Sequence, residues 1–226
     1  MRTTIRAALA SVALLVAAST ANASVFIGLQ QDDGPIVTAN SSAGGLGFFI
    51  GAFGEFEQIG VFGLGWPVAV PPLLLQSIAV VSNSAGDANA GKLSIFVTST
   101  NNTDPLGSLQ FISGLATDLT PGWSKTLQTY LDHDNGVYAL TTLIGSQVVS
   151  TAANVTDTAV ANTGPGPYSL TAVYRIDAPS LGEASSAISV TSGAVTPPPS
   201  TVPEPASLAL LGLALGGLGF ARKRKT

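Results

Sequence analysis

The chain has no cysteine, a single histidine, a single methionine and few charges: only 10% of its 226 residues are Asp, Glu, Lys or Arg. Without cysteine it has no disulfide, no thiol nucleophile and no thiolate-based zinc or iron–sulfur site. With His133 as its lone histidine it has no histidine-cluster metal site and no H-E-x-x-H motif. A Ser-His-Asp arrangement would have to use His133, and no G-x-S-x-G elbow accompanies it. No phosphate-cradling loop of the G-x-G-x-x-G or G-x-x-x-x-G-K type is expected.

Positive charge is scarce as well. Of nine basic residues, Arg2, Arg6, Arg222, Lys223, Arg224 and Lys225 lie at the two ends. Residues 24–201 keep only Lys92, Lys125 and Arg175 against twelve carboxylates, a formal charge of −9. Such a surface repels phosphate backbones and excludes nucleic acid as a partner. Neutral glycans, divalent cations and other protein surfaces are compatible with it.

Long hydrophobic runs are missing too. The N-terminal run, Ala7 to Ala18, follows Arg2 and Arg6 and precedes Ala21, Asn22 and Ala23. A basic start, a short apolar stretch and an A-x-A site describe a signal peptide over residues 1–23, cut by signal peptidase between Ala23 and Ser24. The C-terminal run, Ala206 to Ala221, has 16 residues. As a helix it would measure roughly 24 Å, short of the ~30 Å hydrocarbon core. It can still insert transiently, with Arg222, Lys223, Arg224 and Lys225 held on the cytoplasmic side.

Between the two ends no helical stripe is found, while Gly, Thr, Ser, Val, Ile and Phe are abundant and turn residues recur. The expected fold is all-β: an antiparallel β-sandwich over residues 24–195, jelly-roll-like or Ig-like, followed by a Pro/Thr/Ser linker at 196–202. Twelve strands are predicted: 25–30, 36–40, 46–52, 55–64, 73–82, 92–100, 108–115, 123–131, 137–144, 147–152, 168–177 and 187–191. The clearest is 168–177, where Tyr168, Leu170, Ala172, Tyr174 and Ile176 alternate with Ser169, Thr171, Arg175 and Asp177. Asp32-Asp33-Gly34-Pro35 and Asp134-Asn135-Gly136 are turn sequences.

Val202, Pro203, Glu204 and Pro205, then the glycine-rich run, then the basic end, resemble the PEP-CTERM sorting signal of Gram-negative exported proteins, here residues 203–226. The resemblance implies recognition by an exosortase, cleavage near Pro203–Pro205, and a cell-surface or extracellular destination after transient inner-membrane anchoring. It also implies an association with exopolysaccharide and biofilm. The arrangement of Pro167 to Ile176, a following strand and the tail is similar to other small PEP-CTERM exported proteins and implies no activity.

For the body the leading expectation is a non-enzymatic surface or matrix protein without a cofactor. A glycan- or calcium-binding module is the alternative, using aromatics near Trp66 and Trp123 or the loop Asp132 to Gly136. Asp132 and Asp134 space oxygens on alternate residues as calcium loops do, although Leu143 stands where a closing Glu would be needed. A secreted hydrolase is the third reading and requires carboxylates to converge. Glu55 and Glu57 are placed on one strand face. The segment Leu46 to Trp66, where six aromatics interleave with glycines, reads either as core strands or as an exposed stacking or self-associating surface.

Overall fold

The computed structural model describes residues 23–83 and 89–194. The expected signal peptide up to Asn22, the expected linker, the expected hydrophobic sorting helix and the basic tail lie outside these residues. The chain divides into two compact units, Met1–Val195 and Thr196–Thr226, and the first contains everything described here.

That unit is two stacked six-stranded antiparallel sheets. The strands are β1 (Ser24–Gln31), β2 (Val37–Ala43), β3 (Leu46–Phe53), β4 (Phe56–Leu64), β5 (Leu73–Asn83), β6 (Gly91–Asn102), β7 (Ser108–Leu119), β8 (Ser124–Asp132), β9 (Thr142–Val149), β10 (Ala153–Asn162), β11 (Tyr168–Ala178) and β12 (Gly182–Ala194). The first sheet runs β2-β1-β6-β11-β8-β9 and the second β10-β7-β12-β5-β4-β3. Hairpins join β1 to β2, β3 to β4, β4 to β5 and β8 to β9, and every other connection crosses between sheets.

Two-residue alternation builds the core. Val25, Ile27 and Leu29 on β1, Leu93, Ile95 and Val97 on β6, and Leu170, Ala172, Tyr174 and Ile176 on β11 turn inward from the first sheet. Ile59, Val61, Leu75, Val81, Phe111, Leu115, Ile188 and Val190 meet them from the second. Each large side chain buried this way contributes about 1.5–3 kcal/mol. Hydroxyl pairs cross the same space: Ser77 with Tyr174 at 2.6 Å and Ser113 with Thr129 at 2.7 Å. These bonds satisfy polar groups that would otherwise be buried unpaired.

Two strand predictions fail. Residues 137–141 are not strand, and β9 runs unbroken over Thr142–Val149, joining the end of the predicted strand 137–144 to the start of the predicted strand 147–152; residues 150–152 are not strand, and β10, Ala153–Asn162, was not predicted. Val137 to Leu140 had looked strand-like because they are apolar, yet that stretch packs as loop over a sheet face. Glu55 lies in the β3–β4 turn, its N–H donating to Gln31 Oε1 at 3.0 Å, so it does not share a strand face with Glu57.

Candidate functional site

The outer face of the first sheet is divided into two halves by the β8–β9 loop, residues 133–141. Over one half the loop lies flat. Tyr138, in left-handed backbone geometry (φ 58°), donates its N–H to Thr98 Oγ1 and its hydroxyl to Thr38 Oγ1, both at 3.2 Å. Its ring tilts against Phe96 at 5.8 Å between centroids. Gly28 makes room for this: a Cβ there would lie 2.8 Å from the Tyr138 ring. Phe96 and Val173, although on the outer face, are buried as a result.

The loop is anchored by its acidic start. Asp132 accepts from Gly136 N–H at 2.7 Å and from Thr141 Oγ1 at 2.6 Å, one donor on each carboxylate oxygen. Asn135 accepts from Asn101 N–H at 2.7 Å and donates to Asn101 Oδ1 at 2.6 Å. Burial alone would raise the Asp132 pKa, but hydrogen bonds from Thr141 and from the Gly136 and Asp134 backbone outweigh it and hold the carboxyl below its usual range. The candidate calcium ligand Asp132 is therefore a loop staple whose oxygens already have donors, and Asp134 is exposed in the turn beside it. Among the described residues no group of three or more His, Asp or Glu side chains could hold a metal ion.

The other half of the face is open and polar. Strand register sets the pattern: Gln30 faces Ser94, which faces Arg175, which faces Thr126, and on the next rung Lys92 faces Asp177, which faces Ser124. Asp32 closes the end, its Oδ1 accepting the Lys92 backbone N–H at 3.0 Å. Asp33 and Ile176 complete a cleft of about 490 Å³. Arg175 donates to Gln128 Oε1, which fixes the guanidinium against the sheet. Lys92 is exposed, while Arg175 and Asp177 are half-buried.

The third cation of the body behaves differently. Lys125 is 2% exposed and points between the sheets. Its ammonium donates to Ser186 Oγ at 2.5 Å, Ser185 O at 3.0 Å, Thr117 Oγ1 at 3.1 Å and Asp118 O at 3.4 Å. Burial pushes its pKa down to about 8, opposed by the nearby Asp118 charge. Lys125 thus knits the two sheets together, and both of the body's solvent-facing cations, Lys92 and Arg175, stand in the cleft.

The tryptophan platform anticipated from sequence does not form. Trp123 is buried, its indole N–H donating to Ser180 O at 3.0 Å, and Trp66 is half-buried on the β4–β5 connection. His133 is exposed on the β8–β9 loop. Contrary to expectation, Gly86 to Lys92 does spell G-x-x-x-x-G-K, but Leu93 follows instead of Ser or Thr and Gly91 and Lys92 open strand β6, not a helix, so no phosphate loop results. The cleft residues carried a partial signal: Lys92 and Ser94, and Arg175 and Asp177, occupy polar positions of two alternating strands. Nothing in the sequence says that those strands are neighbours.

Ala23, expected to end the leader, is buried, and its carbonyl accepts the Gly44 N–H at 3.0 Å; Ser24 opens β1. At the other end, residues 201–225 match the family model for the PEP-CTERM protein-sorting motif. The chain carries a PEP-CTERM sorting motif. It is accordingly an exported, surface-directed protein processed by an exosortase. The motif spans the sorting residues Val202 to Pro205 and the basic tail from Arg222 to Lys225.

No curated protein sequence matches this chain. Among solved structures it is similar to the CBM22-1–GH10 modules of a Clostridium thermocellum endo-1,4-beta-D-xylanase, at 9% identity and TM-score 0.31, covering 68% of this chain and 26% of that one. It is similar to the enzymatically active domain of bacteriophage CBA120 tailspike protein 4, at 17% identity and TM-score 0.31, covering 65% and 19%. A third is a carbohydrate-binding module of the β-sandwich superfamily, at 9% identity and TM-score 0.35, covering 77% and 87%. This chain thus spans about a quarter of the xylanase and a fifth of the tailspike structure.

Proposed function

We propose that the protein is a non-enzymatic component of the cell surface or extracellular matrix that holds a neutral polysaccharide in the cleft of its first sheet. The carrying observation is the composition of that cleft. A body with a formal charge of −9 places both of its solvent-facing cations, Lys92 and Arg175, beside Asp32, Asp33 and Asp177. Saccharide hydroxyls donate to carboxylates and accept from ammonium and guanidinium groups, so a mixed array suits a neutral polyol better than an ion of either sign. Gln30, Ser94, Ser124 and Thr126 add donors and acceptors between the charges.

Asp32, Asp33 and Asp177 do converge in the cleft, as the hydrolase reading requires, so the non-enzymatic reading rests on Asp32 being engaged by the Lys92 N–H and on the lack of a histidine base beside the cleft hydroxyls. His133 stands outside the cleft, and the cleft hydroxyls have no histidine beside them to act as a base. Hydrogen bonds at a solvated cleft contribute about 0.5–1.5 kcal/mol each, so a single site would bind a glycan at roughly millimolar strength. Display of many copies along a polymer raises retention without new contacts. In this reading the C-terminal run Ala206 to Ala221 anchors the chain in the inner membrane until an exosortase cuts near Pro203–Pro205, and the released body joins exopolysaccharide or biofilm.

The test is affinity electrophoresis through gels containing neutral exopolysaccharide from a producing strain. The wild type should be retarded, and Lys92→Ala with Arg175→Ala should lose most of that retardation, with unchanged thermal stability. Equal mobility of wild type and double variant in the loaded gel would remove the cleft from the account.

A further inference from the structure

The second sheet presents a different surface. On its outer face the register aligns Phe48, Phe62, Ile78, Ala187 and Ala116 in one row across β3, β4, β5, β12 and β7. The next row runs Ile50, Gly60, Val80 and Ser185. Phe48 is 67% exposed, Ile50 74%, Val80 47%, Ile78 42% and Phe62 40%. No charged residue occupies either row until Asp118 on β7. With Leu46, this block exposes on the order of 500 Å² of apolar surface, comparable to the largest patch on an ordinary monomer.

We infer that this face binds a second copy of the same chain, in a two-fold contact centred on Ile78. The row itself is self-complementary. Turned about Ile78, Phe62 of one copy falls on Ala187 of the other, and Phe48 falls on Ala116. Large side chains therefore meet small ones on both halves, as an isologous interface requires. The receiving side is already concave: Ile78, Ala116, Ala153 and Ala187, with Ser185 and Asp118 at its polar side, border a hollow of about 270 Å³.

Charge and area favour the same partner. Two bodies of charge −9 repel each other on most faces, whereas these rows carry a single charge, Asp118, which the rotation sets opposite Ile50 of the other copy, so no two carboxylates are opposed. An anionic lipid surface gains nothing here, because the rows carry no Lys or Arg. Burying the block on both copies removes about 1,000 Å², the size at which a specific interface becomes sustainable. The edge position of β3 and its lack of charge or proline leave the region without the usual protection against association.

The sandwich closes its core within the first compact unit, so residues 24–195 can be studied alone. Sedimentation velocity from micromolar to submillimolar concentration should show a reversible monomer–dimer equilibrium that strengthens with added salt, since salt screens like charges and spares apolar contacts. Phe62→Ala and Ala187→Leu should each weaken the dimer at least tenfold, and the two together should recover most of the loss, because bulk is returned to the opposite side. Val160→Ser, at an exposed valine on β10, should change nothing. A wild type that stays monomeric throughout, a dimer dispersed by salt, or a Phe62→Ala/Ala187→Leu pair no better than its single variants would each overturn the inference. Binding of the monomer to neutral phosphatidylcholine vesicles would overturn it in favour of a lipid face.

Discussion

Ser77 on β5 and Tyr174 on β11 face each other across the sandwich with their hydroxyl oxygens 2.6 Å apart. Both are fully buried, and burial raises the Tyr174 pKa well above the ordinary tyrosine range despite the opposing Ser77 bond. The bond joins the two sheets where water cannot replace either partner. Tyr174→Phe should cost about 1–2 kcal/mol in urea unfolding, and adding Ser77→Ala should cost less than the sum of the two single changes. Strict additivity would mean that the pair is not coupled.

Lys125 gives the stability an unusual dependence on pH. Its folded pKa of about 8 lies below the 10.5 of the free side chain, so between these values the unfolded chain keeps a proton that the folded chain has released. Stability therefore rises with pH from about 8, by about 2–3 kcal/mol at pH 10. Above pH 10 the sign reverses: burial has raised the Tyr168 and Tyr174 pKa values, so the unfolded chain loses those protons first and stability falls as pH rises. Denaturation midpoints should peak near pH 10. Lys125→Met should abolish the rising limb and leave the falling one.

The glycines of β4 should respond in opposite ways. A Cβ on Gly63 would lie 2.5 Å from Val97 Cγ1 and 3.0 Å from Val25 Cγ1, inside the core. At Gly60, on the outer face, it would meet nothing within 4 Å. Gly63→Ala should destabilise by about 1–3 kcal/mol, and Gly60→Thr should stabilise by about 0.5–1 kcal/mol. Thermal unfolding of the two variants side by side checks both signs.

The same strands mark how far the sequence could be read. Interleaved aromatics and glycines from Leu46 to Trp66 offered a core reading and an exposed-surface reading, and the structure contains both: Phe56 and Ile59 turn inward while Phe48, Ile50 and Phe62 stay in solvent. β11 was legible because its alternation is unbroken. β10 was not, because Ala153 to Asn162 is small and polar, and it is strand only through pairing with β7 over its whole length. The cleft was illegible for a related reason. Lys92 and Arg175 come together because β6 and β11 pair, and that long-range choice leaves no local mark. The sorting motif was legible in full, since its order of residues is its content.

The Asp132 loop should be indifferent to calcium. Each carboxylate oxygen already accepts from a protein donor, and an ion would have to displace Gly136 N–H and Thr141 Oγ1. Millimolar calcium should leave the melting temperature unchanged. Asp132→Ala should lower it, by about 1–3 kcal/mol in stability, because two donors lose their acceptor and Tyr138 loses its anchor on the sheet. A clear calcium-induced rise in melting temperature that Asp132→Ala removes would restore the ion-binding reading.

Intact mass of the protein recovered from its producing host, measured separately in envelope and matrix fractions, tests the central claim most directly. The account predicts a chain that begins at Ser24 and ends near Pro203–Pro205, with any additional mass belonging to the attached group. A recovered species that still contains Ala206 to Thr226 would contradict it and make the protein a simple membrane-anchored one.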